Sequence, residues 1–271
     1  MQTPLLFCFS ALVSAVWAQV AGPLTPDFQA WLTHNGYSQY NFQRSDLGQY
    51  GSFGGKTSPS ETLNGKQPVI FIHGNSDQAL KDPNCQHGPL FCSFTTGWTS
   101  SIIYFAGKGY GSGSLYASTW GSADPQDASS VTHSCNNVMQ VRKWIEVVIK
   151  YTGAAKVDII SHSMGVTVAR MAIKGGSYTD QTGKSCFVGA PLTRAVDTFI
   201  GMSGGNYGLC NCEISPFSAA CNGNTGFAPG TCGLELTCGY AGLCTQTGYA
   251  TFLYNLNNAG GNFEGAFRYA F

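Results

Sequence analysis

Charge is what this 271-residue sequence has least of. Asp, Glu, Lys and Arg together make up 10% of it, against roughly 25% in an average globular domain. Its 14 basic and 14 acidic residues cancel, so it lacks the basic surface that nucleic-acid binding requires. No Asn-X-Ser/Thr sequon occurs, which argues against N-glycosylation. Beyond the first 18 residues there is no apolar run of about 18, which argues against a membrane-spanning helix in a mature chain. Histidine is scarce too: there are five, and none follows His162.

What is present begins with the first 18 residues. They carry no charged side chain, are dominated by Leu, Phe, Val and Ala, and end Val16-Trp17-Ala18. This reads as a secretory signal peptide cleaved before Gln19, with the α-amino group as its only positive charge. A short membrane anchor is the weaker alternative, because the run is barely long enough to cross a bilayer. Cys8 lies in this leader. Ten cysteines remain, at Cys85, Cys92, Cys135, Cys186, Cys210, Cys212, Cys221, Cys232, Cys238 and Cys244. On a secretory, extracellular route they form disulfides whose pairing the sequence does not fix. Six fall between Cys210 and Cys244. A zinc site there is disfavoured because the segment has no histidine.

Hydrophobic residues make up 43% of the chain, enough for a sizeable core, and 35 glycines imply many tight turns. Residues 26–33 read as a short helix, and 38–66 as mostly loop. Residues 68–72, 115–119, 156–160 and 185–188 read as strands, with 266–271 as one more. Helices are expected at 98–107, 136–151, 163–173 and 249–257. The clearest is 136–151, where Val138, Val141, Ile145, Val148 and Ile149 share a face before the stop at Gly153. Alternating strands and helices imply right-handed crossovers and a mostly parallel sheet with helices on both faces. From 201 to 245 the pattern dissolves into a cysteine-rich insertion. Its Phe217, Phe227, Leu234, Leu236 and Leu243 could line an acyl groove, although a small satellite core beneath the disulfides is the better reading.

The chemistry concentrates at Ser161-His162-Ser163-Met164-Gly165, between an apolar strand and an amphipathic helix. Small residues two before and two after a serine permit the sharp strand-to-helix turn of a nucleophile elbow, here with Ser161 in place of the usual first glycine. Ser163 is then the nucleophile of an α/β-hydrolase fold, and a mere helix cap is the bland alternative. An earlier buried strand ends at His73-Gly74-Asn75. In such folds the loop after that strand and the residue after the serine donate the two oxyanion N–H groups, so Asn75 and Met164 are the candidate donors. His73 reads as a structural residue tying the loop.

Together, Val69-Ile70-Phe71-Ile72-His73-Gly74-Asn75, Ile159-Ile160-Ser161-His162-Ser163-Met164-Gly165 and Gly189-Ala190-Pro191 resemble the class 2 lipases, most of all the secreted, cysteine-rich kind found in nematodes. The resemblance runs from about Leu24 onward. It implies an α/β-hydrolase that cleaves carboxylic esters of lipids, at a lipid–water interface or in solution, without metal or organic cofactor, with Ser163 as nucleophile and the Asn75 and Met164 amides as oxyanion hole. It also implies an acid following the strand matched by Ala266 to Phe271, and a histidine further on.

Within the chain, the order Ser, acid, His expected of this fold is not completed. His34, His73, His87 and His133 precede the serine, and adjacent His162 leaves the turn in a different direction. Asp180, Asp197, Glu213, Glu235 and Glu264 are weak candidates for the acid. The expected organisation is therefore a signal peptide at 1–18 and a hydrolase domain at 19–271, incomplete at its C-terminus, with the insert at 201–245. Two readings outside simple ester hydrolysis stay open: a lipid-binding or interaction protein that kept the fold without the chemistry, and acyl transfer to an alcohol other than water.

Overall fold

The computed structural model describes residues 20–93, 95–213, 217–229 and 249–271; the leader reading at 1–18 lies outside them. Helix α1 (Pro26–His34) starts where Thr25 Oγ1 accepts the Phe28 N–H, with proline in its first turn. Strand β1 (Ser52–Phe53) follows, then β2 (Val69–Ile72), α2 (Gly88–Cys92), α3 (Thr99–Ala106), β3 (Leu115–Ser118) and α4 (Cys135–Thr152). Helix α4 is capped by Ser134, which accepts the Asn137 N–H, and it ends at Gly153 with φ 65°. Strand β4 (Val157–His162) leads into α5 (Met164–Lys174), and strands β5 (Gly176–Thr179), β6 (Ser185–Gly189) and β7 (Val196–Met202) come next. Helix α6 (Thr251–Asn257) and strand β8 (Phe267–Ala270) complete the described order.

Among the described residues, six strands form one sheet in the order β1-β3-β2-β4-β7-β8. Only β1 runs antiparallel; the others are parallel, joined through crossovers. Strand β2 shows why the core has two sides. Its residues are all buried, and alternate side chains face opposite ways. Ile70 and Ile72 pack with α1, α4 and α5, whereas Val69 and Phe71 pack with Trp98, Ile102 and Leu115 on the α3 side. The larger side holds an aromatic cluster: Phe28 stacks on Tyr151 at 4.1 Å and meets Tyr116 edge-on at 5.7 Å, and Phe42 lies 5.2 Å from Trp144.

Two expectations need correction. Residues 185–188 do form a strand, but it pairs with β5 in a separate antiparallel hairpin rather than joining the main sheet. Gly175 ends α5 with φ 69° and leaves no length for a crossover. The turn is fixed by the Asp180 carboxylate, which accepts from Thr182 N at 3.0 Å and from Cys135 N at 3.1 Å. The place beside β4 belongs to β7, whose Asp197 and Thr198 interrupt the apolar pattern that marks the other strands. The cysteine-rich stretch accordingly begins after Met202, not at 201. Among the described residues, disulfides join Cys85–Cys92, Cys135–Cys186 and Cys212–Cys221, and Cys210 is also oxidised. Cys232, Cys238 and Cys244 lie outside the described residues, as do Leu234, Leu236 and Leu243. Phe227 joins the main core and Phe217 is exposed, so neither lines a described groove.

The Cys135–Cys186 bridge fastens the hairpin to the start of α4 across 51 residues of sequence. A loop of that length is worth about 4 kcal/mol of unfolded-state entropy. The Cys135→Ala/Cys186→Ala double variant is expected to lose about that much in urea unfolding; a loss under about 1 kcal/mol would contradict this role.

Candidate active site

Strand β4 ends at His162 and α5 begins at Met164, so Ser163 alone makes the turn. It does so at φ 52° and ψ −128°, a conformation that costs a non-glycine residue roughly 1–3 kcal/mol. Neighbouring strands hold it there. The Ser163 N–H donates to the Met202 carbonyl at 2.9 Å, and Ser161 Oγ donates to the Ile200 carbonyl at 3.0 Å. The Ser163 hydroxyl caps nothing, which removes the reason a simple N-cap serine would have for being here.

Close approach explains the two glycines. A Cβ at Gly165 would lie 2.2 Å from the His73 carbonyl oxygen, so only glycine lets α5 lean on the end of β2. A Cβ at Gly74 would lie 3.0 Å from Ser163 Cβ. The loop after β2 thus reaches the serine. Asn75 follows at once, fixed by its Nδ2 donating to the Ala128 carbonyl at 2.8 Å. Neither the Asn75 nor the Met164 N–H has an acceptor among the described residues. Ser163 and the loop that carries Asn75 therefore meet at the carboxyl ends of β2 and β4, where ligands of open α/β sheets bind.

The histidines take other roles. His73 Nε2 accepts the Trp120 N–H at 3.0 Å, so its Nδ1 carries the proton and donates to the Gly74 carbonyl at 2.7 Å. Burial pushes its pKa down to about 3. His133 is also fully buried, and burial lowers it to about 4. Its Nδ1 donates to the Thr225 carbonyl at 2.9 Å, and its Nε2 meets Thr167 Oγ1 at 2.6 Å, directly under α5. His34 sits in the last turn of α1, and His87 Nδ1 lies 3.4 Å from Asp124 Oδ1 at the surface. His162 is partly exposed, and desolvation of its ring holds its pKa below the ordinary value. No histidine hydrogen-bonds to Ser163 among the described residues.

The weak acid candidates are occupied elsewhere. Asp197 pairs with Lys156 at 2.7 Å at the far end of β7, and Glu264 pairs with Arg170 at 3.0 Å. Asp180 holds the hairpin turn described above. Glu213 ends the short helical turn Cys210–Glu213, and Glu235 lies outside the described residues. The residue that sequence reasoning missed is Asp77. It is buried in the same loop as Asn75, its Oδ1 accepts the N–H groups of Gln78 at 2.8 Å and Gly97 at 3.2 Å, and burial raises its pKa to about 6. An acidic residue two positions after a candidate oxyanion donor was the available signal.

The mostly parallel sheet with its sharp strand-to-helix turn at Ser163 defines an α/β-hydrolase fold. Residues 66–269 match the family Lipase (class 2), and the chain belongs to that family. No curated protein matches it. Among solved structures it is similar to lipase B of Aspergillus fumigatus, with 19% identity over 58% of this chain and 28% of that one, at a TM-score of 0.34. The mature form of a Bacillus licheniformis lipase shares 12% identity over 80% of this chain and 69% of that one, at 0.42. Phospholipase PlaB from Legionella pneumophila shares 17% over 76% and 38%, at 0.39. The chain thus spans well under half the length of the Aspergillus and Legionella proteins. No described helix is long and apolar enough to cross a membrane.

Two outcomes are expected from this geometry. Gly165→Ala forces α5 off β2 and costs about 3 kcal/mol, measurable by urea unfolding, whereas Ser161→Ala, which loses one hydrogen bond, costs about 1 kcal/mol. The buried imidazoles set the pH response. Their folded pKa values lie below the ordinary 6.5, so their contribution is whole above that pH and is lost as pH falls toward 4 and 3. Asp77, raised to about 6, has the opposite sign, but one carboxyl is outweighed by two imidazoles. Unfolding free energy should therefore fall between pH 6.5 and 4, and less steeply in His133→Phe; an equally steep fall in that variant would contradict neutral burial of His133.

Proposed function

We propose that the chain is a serine ester hydrolase acting on lipid or small carboxylic esters, with Ser163 as nucleophile. The observation that carries this is the strained Ser163 turn, met by the Gly74-Asn75 loop and neighboured by two backbone N–H groups with no acceptor among the described residues, in a member of the class 2 lipase family. In the reaction, Ser163 Oγ attacks the ester carbonyl and loses its proton to a base. The tetrahedral oxyanion is held by the Asn75 and Met164 N–H groups, each worth roughly 3–4 kcal/mol. Collapse expels the alcohol, which takes up a proton, and leaves an acyl-serine that water then clears. The first turn of α5 adds favourable partial charge at the oxyanion. None of the five histidines is assigned as the base, because none contacts Ser163. Disulfides in the described residues and the apolar leader support an extracellular setting.

A second reading has its own observation. With no imidazole on Ser163, these residues also fit a secreted lipid-binding protein that has lost hydrolysis. The full-length protein separates the two. Hydrolysis of butyrate and octanoate esters, falling about 10⁴-fold or more in Ser163→Ala, is the expected result. Full activity in Ser163→Ala would sink the nucleophile assignment, and saturable ester binding without turnover would favour the second reading.

A further inference from the structure

Helix α5 has to hold Met164, its first residue, still beside Ser163. One face of the helix rests on the end of β2, at Gly165. Thr167 stands two residues further on, about 200° around the helix axis, and so on the opposite face. There its Oγ1 lies 2.6 Å from His133 Nε2 and 2.9 Å from the Met164 carbonyl oxygen. Thr167 and His133 are both wholly buried, so bulk solvent does not compete for these contacts.

The available protons give this chain of contacts a direction. The Thr225 carbonyl can only accept, and it takes both the backbone N–H and the Nδ1–H of His133 at 2.9 Å. Burial keeps the ring neutral at ordinary pH, so Nε2 carries a lone pair rather than a second proton. The Thr167 hydroxyl has one proton to give. A threonine inside a helix commonly turns it back on a carbonyl of the preceding turn, which here is that of Met164. That carbonyl already accepts a helical N–H, whereas Nε2 is the nearer atom and has no other donor among the described residues. The proton therefore goes to His133, and α5 is tied outward to Thr225. Thr225 is itself fixed. Asn222 Oδ1 accepts its N–H at 2.8 Å, Gln181 Oε1 accepts its hydroxyl, and the Cys212–Cys221 bridge closes the segment just before it.

We infer that Thr167 and His133 are positioning residues for the proposed oxyanion donor Met164, holding the first turn of α5 to Thr225 on one face while Gly165 lets it rest on β2 on the other. The inference rests on the ester-hydrolase reading above. The described part of the cysteine-rich stretch is then the fixed point against which the elbow helix is held. A small displacement of Met164 costs rate, because its N–H has to meet charge that develops only in the transition state. The loss therefore falls on kcat rather than on KM.

The test uses the full-length protein and a butyrate ester, with active sites counted by the acyl burst so that misfolded molecules do not enter kcat. Thr167→Val keeps the shape and removes the proton. It should lower kcat about tenfold and leave KM within about twofold, and Thr167→Ser should recover most of the loss. His133→Gln puts an amide oxygen near the place of Nε2. It should keep more kcat than His133→Asn, whose amide takes the place of Nδ1 and serves Thr225 alone. Residues that merely stabilise the fold would lower the urea midpoint and leave kcat per active site as it was. Unchanged kcat in Thr167→Val, or equal losses in the valine and serine variants, would overturn the inference. The backbone amide resonance of Met164 in NMR separates this from failure of the hydrolase reading. It should move in Thr167→Val and stay in place in Thr167→Ser. Movement in a protein that turns over no ester keeps the positioning role and removes the hydrolase; ester turnover with the resonance unmoved does the reverse.

Discussion

The contact on which the site depends is the approach of α5 to the end of β2. At Gly165 the helix comes so near the His73 carbonyl that no side chain fits between them. That closeness sets how sharply the chain must turn at Ser163. It also brings the loop after β2 within reach of the serine, where Gly74 is the second position with no room to spare. Strain at Ser163 is the local cost. It is offset by bonds that cross the sheet, from Ser163 N–H to Met202 and from Ser161 Oγ to Ile200, so β7 holds the turn that β4 and α5 create.

Two buried, neutral imidazoles hold the surroundings of this turn. His73 joins the loop after β2 to Trp120 through both ring nitrogens, and stacks on the Trp120 ring at 5.3 Å. His133 joins α5, through Thr167, to Thr225 in the described part of the cysteine-rich stretch, and stacks on Phe252 at 4.4 Å. The insertion is thereby tied to the helix that carries the elbow. Histidine suits both places because a neutral ring offers one donor and one acceptor at fixed angles. Backbone partners fix each tautomer, and burial takes both rings out of proton transfer near neutral pH.

Much of the fold was legible in the sequence because local pattern and tertiary role agreed. The fully buried β2 read as a continuous apolar run, and α4 showed its stripe and its glycine stop. Strand β7 was not legible. Asp197 answers Lys156, and the Thr198 N–H answers the Asp158 carboxylate at 3.1 Å. Those polar residues look like loop until their partners on β4 are in place. Residues 185–188 misled for the converse reason. A short apolar run gives a strand but not its neighbour, and the brief link from α5 admits only a hairpin.

Sequence alone determined the family and the strand-to-helix turn at Ser163, because glycine and small-residue spacing at such a turn is a local steric requirement. Tertiary structure decided what no spacing encodes. It decided that His73 and His133 are occupied pillars, that Asp77 is buried in the loop after β2 with its Oδ1 accepting the Gln78 and Gly97 N–H groups, and that β7 rather than 185–188 lies against β4. Each of these depends on which groups meet across long sequence separations. Hydrogen-bond satisfaction and burial are properties of those meetings rather than of any residue by itself.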